Sequence, residues 1–270
     1  MLLKKNRFYR VEIDDVVWGM LSYYFEPLKH EPFVAEVLQG LSPLRLVNAY
    51  RTREFEQHEK LAPFETNFLE DWYSVLEGKF DYTIKKLSAA PRNMRAIVKD
   101  DFKIHHDNLL VLFASQYFRT RKARQNIVDL TKDMYLESQA GTQKLSALQV
   151  DTVTKVILFV NSVLLAENLI RTGFSIGLAY NASSRDLITT STPTSGHVQK
   201  RERLDDIVSF KGYMPLAPKI NMYLSKAPTS KGIFQFNNIS REVVSRQNKM
   251  LAEFSDLDVY ATTERQLKAL

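Results

Sequence analysis

The spacing of the hydrophobic residues changes once along the chain, near residue 173. Before this point apolar side chains recur every three or four residues, most clearly at residues 64–87, and this spacing predicts amphipathic helices. After it, apolar and polar residues alternate over residues 174–180, and further short β-branched segments lie between Pro and Gly turns. Helices followed by strands indicate an α+β fold, with a helical body and a mainly antiparallel sheet.

The same pattern predicts three parts: a helical N-terminal segment (residues 1–63), a helical body (64–172), and an antiparallel sheet with a C-terminal helix (173–270). The last two parts are expected to pack as one compact unit. The predicted helices cover residues 11–25, 32–38, 43–55, 64–87, 92–135 as one helix or a pair, 147–170 between Ser146 and Gly173, and 241–254 after Ser240. The predicted strands cover residues 174–180, 186–190, 206–216, 219–225 and 232–236, with a basic loop at 192–203 and a strand at 257–261 that returns to the sheet.

Composition excludes several classes of protein. The chain has no cysteine, which excludes disulfide frameworks, thiolate zinc sites and thiol catalysis and suits a reducing cytoplasm. The longest apolar run, residues 156–166, is too short to span a bilayer and contains Asn161 and Ser162. We therefore expect a cytoplasmic protein without a membrane partner.

The net charge of +6 is compatible with an anionic partner, but the basic residues are local clusters that favour a solvated surface. These clusters are Lys4 to Arg10, Arg119 to Arg124, and Lys200 to Arg203. Most of the 16 Phe and 12 Tyr residues fall on apolar stripes, which favours core packing over nucleic-acid stacking. Nucleic acid and another protein subunit both remain candidate partners, and the oligomeric state is open.

Residues 109–127 carry the most unusual pattern. Their spacing predicts one helix, whose core-facing side begins with leucine and phenylalanine and continues with polar residues, with Arg119 at the margin. That side comprises Leu109, Leu112, Phe113, Gln116, Thr120, Ala123 and Ile127. Burying Gln116 and Arg119 without partners would cost several kcal/mol, so other residues must supply acceptors. Glu70 and Glu77, two helical turns apart on the preceding helix, are the first candidates.

Five segments resemble the DUF4238 family, a domain of unknown function, in their order and spacing from about residue 64 to the end. They are Leu69-Glu70 through Glu77, a Q-x-x-R-T-x-x-x-R pattern from Gln116 to Arg124, Leu187 to Pro193, Met214 to Pro218, and residues 243–252 with Asn248 followed by Val259-Tyr260-Ala261. The resemblance implies a shared fold and a site near the second and third segments. Two family features are missing: residues 1–50 contain no His-x-Val-Pro segment, and Thr189-Thr190-Ser191 stands where the family has Thr-Ser-Asp.

The candidate site follows from these residues. Glu70, Glu77 and Arg119 are the candidate catalytic groups, since arginine can hold a carboxylate or phosphate in two-point contact and a glutamate can act as a base. The candidate substrate or phosphate contacts are Gln116, Arg119, Arg124, Thr189, Thr190 and Ser191. No metal site is predicted, because His105 and Asp101 are the only same-face pair on their helix and two ligands do not make a site. His197 is predicted to lie solvated in the basic loop, and no cofactor is identified.

Two functions remain open. The favoured one is a non-catalytic binding or assembly module that is part of a bacterial defence or toxin-type system. In it Glu and Arg form a structural cluster, and the function resides in a surface, either the basic loop at residues 192–203 or the N-terminal segment. It predicts a closed, dry cluster and a large apolar surface patch. The alternative is a nucleic-acid- or nucleotide-processing hydrolase or nuclease that uses Glu70 or Glu77 with Arg119 and Arg124. It predicts that the cluster lines an open cleft.

Overall fold

The computed structural model describes residues 11–51, 58–138, 145–190, 193–201, 207–226, 233–254 and 258–264. The helices are α1 (Asp15–Phe25), α2 (Pro32–Arg51), α3 (His58–Ala89), α4 (Met94–Asp100), α5 (Phe102–Phe118), α6 (Arg121–Ser138), α7 (Ala147–Arg171) and α8 (Arg241–Phe254). The strands are β1 (Phe174–Asn181), β2 (Thr189–Thr190), β3 (Ser195–Arg201), β4 (Ile207–Ala217), β5 (Ile220–Lys226), β6 (Phe234–Ile239) and β7 (Val259–Tyr260). Helices precede strands and one helix follows them, so the predicted α+β class is confirmed.

The chain forms two compact units, each assembled from two stretches of sequence. Residues 1–75 and 122–161 form the first unit, and residues 76–121 and 162–270 form the second. The three-part division at residues 63 and 172 stays a prediction.

Helix α2 of the first unit is longer than predicted. The sequence suggested two helices, ending near Gly40 and beginning at Pro43, but a single helix runs through Pro43. Its apolar side chains at Val34, Val37, Leu41 and Leu44 are all buried and recur at helical spacing across the proline. The continuous buried face therefore outweighs the hydrogen bond that proline removes.

Two helices of the first unit begin at residues whose side chains cap them. The Ser146 Oγ accepts from the Gln149 N–H at 3.1 Å while the Gln149 Oε1 accepts from the Ser146 N–H at 2.9 Å, a reciprocal capping box. Asp14 caps α1 through Oδ1, which accepts from the Val17 N–H at 2.7 Å. Its Oδ2 accepts from the Gln149 amide at 2.7 Å, so the two helix starts are tied together.

The main sheet of the second unit has the strand order β3-β4-β5-β1-β6. All neighbouring pairs are antiparallel except β1 and β6, which are parallel. Helix α8 packs on one face of this sheet, where Val244 meets Ala179 and Leu251 meets Tyr213. The prediction of a mainly antiparallel sheet with a C-terminal helix is thus confirmed.

Three details of the second unit differ from the sequence prediction. Residues 195–201, predicted as part of a loop, form β3 because they pair with β4. Only Thr189 and Thr190 of the predicted strand at 186–190 are extended as a strand. The C-terminal strand does not return to the main sheet but pairs with β2 in a separate two-stranded ribbon. Strand pairing decided each outcome, with the next strand along the chain for β3 and with residues about 70 positions away for β2 and β7.

Helix α7 alone among the described helices is long and apolar enough to cross a membrane. Of its most apolar window, 72% is buried inside the protein, as is typical of a core helix. It begins after the predicted Ser146 cap and ends before Gly173, whose φ of 67° lies in the left-handed region. Glycine adopts this conformation without steric cost, so the predicted C-terminal stop is confirmed.

Candidate functional site

The polar stretch at residues 109–127 is two helices rather than one. Helix α5 ends at Phe118, where the Arg119 N–H bonds to the Gln116 and Tyr117 carbonyls. The Thr120 hydroxyl also donates to the Tyr117 carbonyl at 2.8 Å, which helps to close the helix end. The prediction of a single helix over residues 109–127 was therefore wrong. Arg119 lies at the C-terminal end of α5, where the helix dipole favours a cation.

A cleft of about 730 Å³ in the second unit collects five of the predicted site residues, namely Glu77, Gln116, Arg119, Thr189 and Thr190. Its remaining lining residues are Gly78, Phe80, Asp81, Ile84, Leu112, Pro193, Met214, Pro215 and Leu216. Helices α3 and α5 and the segments around β2 and β4 supply these side chains. The cleft therefore has a polar part around one ion pair and an apolar wall.

Glu77 and Arg119 form the ion pair, with the Arg119 Nη2 donating to the Glu77 Oε1 at 3.0 Å. The arginine side chain is 26% exposed and the glutamate side chain 47% exposed. Water thus reaches both partners, and the pair is an accessible polar group rather than a closed, dry network. The closed cluster expected for a purely structural role is not what the structure contains.

Asp81 adds a second carboxylate to the lining, one helical turn after Glu77. The described lining residues therefore carry two acidic side chains and one basic side chain, and none is a histidine. Asp81 is not among the residues predicted from the sequence, although its four-residue spacing from Glu77 on a clearly amphipathic helix is a usable signal. The apolar wall from β4 lies within one of the five similar segments, Met214 to Pro218, but its place in the cleft depends on how the sheet packs.

Helix α8 fixes the segment that carries Thr189 and Thr190. The Asn248 Oδ1 accepts from the Ile188 N–H at 3.1 Å, and the Asn248 Nδ2 donates to the Asp186 carbonyl at 2.9 Å. These two bonds fix the main chain directly before Thr189 and Thr190. Thr190 is buried and Thr189 is exposed, so the two side chains differ in their access to solvent.

Three predicted site residues do not join this group. Glu70 is exposed on α3 and does not line the cleft. Arg124 belongs to the first unit, where its Nη2 bonds to the Asp151 Oδ1 at 2.5 Å. Ser191 lies outside the described residues. The predicted five-residue Glu–Gln–Arg cluster is thus reduced to Glu77, Gln116 and Arg119.

The adjacent histidines of α5 have structural partners. The Nδ1 of His105 lies 3.0 Å from the Thr83 hydroxyl, and burial lowers its pKa, an effect that nearby Lys86 increases. The Nε2 of His106 donates to the Phe174 carbonyl at 2.8 Å, which anchors the start of β1. Within the described ranges no three His, Asp or Glu side chains are grouped so that they could hold a metal ion.

His197 lies in β3 rather than in a loop, and its side chain is outside the described part of the structure.

Comparison with known proteins gives no relative: no protein-family model, no curated protein and no solved structure matches the chain.

Proposed function

We propose that the protein is a non-catalytic binding module whose ligand site is the cleft around Glu77 and Arg119. The observation that carries the proposal is an accessible ion pair set beside an apolar wall in a cleft of about 730 Å³. This volume lies in the range of small-molecule sites, which combine apolar walls with a few well-placed polar groups.

The charges of the cleft indicate the class of ligand. Glu77 can accept a hydrogen bond from an ammonium group, and Arg119 can hold a carboxylate in two-point contact. Asp81 is itself ion-paired with Lys85, whose Nζ lies 2.6 Å from the Asp81 Oδ2. The Glu77 and Arg119 side chains are in direct contact. The ammonium and carboxylate groups of a fitting ligand must therefore also lie close together. A zwitterion with an apolar side chain, such as an apolar α-amino acid, has this chemistry.

The apolar wall would receive the side chain of such a ligand. Ile84, Leu112 and Leu216 provide aliphatic surface in the same cleft as the ion pair. Burying apolar ligand surface against them would supply most of the affinity, while the charged groups would fix the orientation.

An open cleft is what the nucleic-acid alternative predicts, but the charges of this cleft support that alternative less. A phosphodiester held by Arg119 would come close to the Glu77 carboxylate, which lies 3.0 Å from the same guanidinium, whereas Lys85 offsets the charge of Asp81 at 2.6 Å. Like charges in a partly desolvated site repel strongly. Arg124, which that hypothesis places on phosphate, does not line the cleft, and of its two candidate glutamates only Glu77 does.

The test is isothermal titration of the purified protein with L-leucine and L-phenylalanine, beside 4-methylpentanoate, which lacks the amino group, and isopentylamine, which lacks the carboxylate. We expect the zwitterions to bind and both truncated compounds to bind about 10-fold more weakly or worse. Arg119→Ala should lower the affinity, whereas Arg124→Ala, a matched loss of an ion-paired arginine outside the cleft, should not.

Equal binding of the zwitterions and the truncated compounds, or no binding by any of them, would contradict the proposal. The wild-type protein and both variants should also be tested for binding and cleavage of labelled single-stranded RNA and DNA. Binding or cleavage of either that is lost in Arg119→Ala but kept in Arg124→Ala would favour the nucleic-acid alternative.

We further propose, from the five similar segments, that the chain is a divergent member of the DUF4238 family that acts in the cytoplasm. Several of these segments supply residues to one cleft, which supports the site location implied by the resemblance. The residues include Gln116, Arg119, Thr189, Thr190 and Leu216.

A further inference from the structure

We infer that β6 is a dimerisation edge, at which the main sheet pairs antiparallel with β6 of a second copy of this chain. The inference does not depend on the ligand cleft. The two edges of the main sheet, β3 and β6, differ in the regularity of their register and in the charge of their sequences.

Strand β3 has features that prevent the edge of a sheet from pairing with a further strand. Its register against β4 shifts between Val198 and Lys200 and again between Lys200 and Arg201, and its sequence contains Gly196. Irregular register and basic residues on an outer strand oppose the addition of another strand.

Strand β6 has neither an irregular register nor a basic residue. Its sequence, Phe-Gln-Phe-Asn-Asn-Ile, contains no charged residue, no proline and no glycine. Its pairing with β1 runs without a shift from Ile176↔Phe234 to Asn181↔Ile239. A regular, uncharged outer strand of six residues is a template for a further strand.

The backbone direction of β6 follows from its bond to β1. The Ile176 N–H donates to the Ile233 carbonyl at 2.9 Å, so position 233 faces β1. Because successive backbone groups of a strand point to opposite sides, positions 235 and 237 also face β1. Phe234, Phe236 and Asn238 then direct their N–H and C=O groups to the outer side, where none of the described strands pairs with them.

A second copy suits this edge because the strand is self-complementary. A two-fold axis at Phe236 places Phe236 opposite its own counterpart and Phe234 opposite Asn238, so the outward groups of both strands bond to each other. Neither strand carries a charged residue, and the Arg95 guanidinium, which belongs to α4, lies over the Phe236 ring at 5.5 Å from its centre.

Ile233 (39% exposed) and Phe102 (42% exposed) flank the edge, and the Phe102 ring contacts that of Phe234 at 5.3 Å. Pairing would bury part of this apolar surface.

The first test is sedimentation or light scattering over about 1 to 100 μM protein. We expect a mass of twice the 31.2 kDa monomer at the higher concentrations. Gln235 and Asn237 are exposed and would oppose each other in the dimer. The double variant Gln235→Lys with Asn237→Lys therefore places lysines directly opposite and should return the mass to that of the monomer.

The matched control is Ala182→Lys with Ser184→Lys, which adds the same charge at two exposed positions outside the strand. It should keep the doubled mass. A second readout is hydrogen exchange in the wild-type protein, which needs no variant. The amides of Phe236 and Asn238 should exchange slowly at high concentration and rapidly on dilution.

A wild-type protein that stays monomeric over this range overturns the inference. A dimer that survives the double lysine variant, or amides of Phe236 and Asn238 whose exchange does not change with concentration, overturns it as well.

Discussion

Asn248 and Ile188 are 60 residues apart in the chain, and a hydrogen bond of 3.1 Å joins the Asn248 Oδ1 to the Ile188 N–H. The amide nitrogen of the same asparagine donates to the Asp186 carbonyl at 2.9 Å. One buried side chain on α8 thus satisfies the backbone on both sides of Leu187. The segment that carries Thr189 and Thr190 into the cleft depends on this contact.

Asn248→Ala should lower the free energy of unfolding by about 2 kcal/mol, because a buried N–H loses its acceptor and a carbonyl loses its donor. Urea unfolding followed by circular dichroism measures the change. Asn126→Ala, at an exposed position of α6, is the control and should leave the free energy of unfolding unchanged or slightly raised, since alanine favours a helix. Equal stability of the two variants would show that water replaces the buried asparagine at no cost.

Glu77→Gln should change the free energy of unfolding by less than about 1 kcal/mol, because both partners of its ion pair reach solvent. A double-mutant cycle with Arg119→Ala, measured in low and high salt, isolates the pair energy and its screening. A coupling of several kcal/mol that salt does not reduce would instead assign the pair a structural role.

His105 should make the protein less stable as the pH falls from 7 to 5. Burial lowers its pKa in the folded state below the ordinary value of 6.5, so the unfolded chain binds a proton in this range and the folded chain does not. The stability is complete above the unfolded pKa and decreases as the pH falls towards the folded pKa. His105→Gln should flatten this part of the curve of unfolding free energy against pH.

His30→Gln serves as the control for that experiment, since the His30 side chain is 70% exposed. It should leave the curve in place. A His105→Gln curve that matches the wild-type curve would contradict the assignment.

Ser146→Ala should cost about 1 kcal/mol of stability, because the Gln149 N–H at the start of α7 loses its acceptor. Ser146→Asp, which keeps an acceptor oxygen at the cap, should restore most of the loss. Thermal unfolding of the three proteins measures the order, and an alanine variant as stable as the aspartate variant would contradict the prediction.

The features that the sequence predicted well depend on residues close together in the chain. The Ser146 cap involves a neighbour three residues away, and the stop at Gly173 depends on the φ angle of one residue. The Ser240 cap before α8 is of the same kind, with its Oγ 3.5 Å from the Val243 N–H. Hydrophobic spacing likewise located α3 and α7, because one face of each helix must be buried.

The errors occurred where another contact, near or far in the chain, outweighed the local preference that the prediction used. Pro43 alone predicts a break, yet the buried face of α2 continues through it. Residues 195–201 are polar and basic, yet pairing with β4 makes them a strand. The side chain of Thr120 closes α5 although the apolar spacing continues past it.

The sequence by itself determined the α+β class, the main helix ends and the candidates Glu77, Gln116, Arg119, Thr189 and Thr190, since each follows from local spacing or local chemistry. Only the tertiary structure decided which candidates share a cleft. It placed Asp81 and the β4 wall beside them and left Glu70 and Arg124 outside. The physical reason is that a site between helices and strands depends on packing and strand pairing between distant segments, which local spacing does not encode.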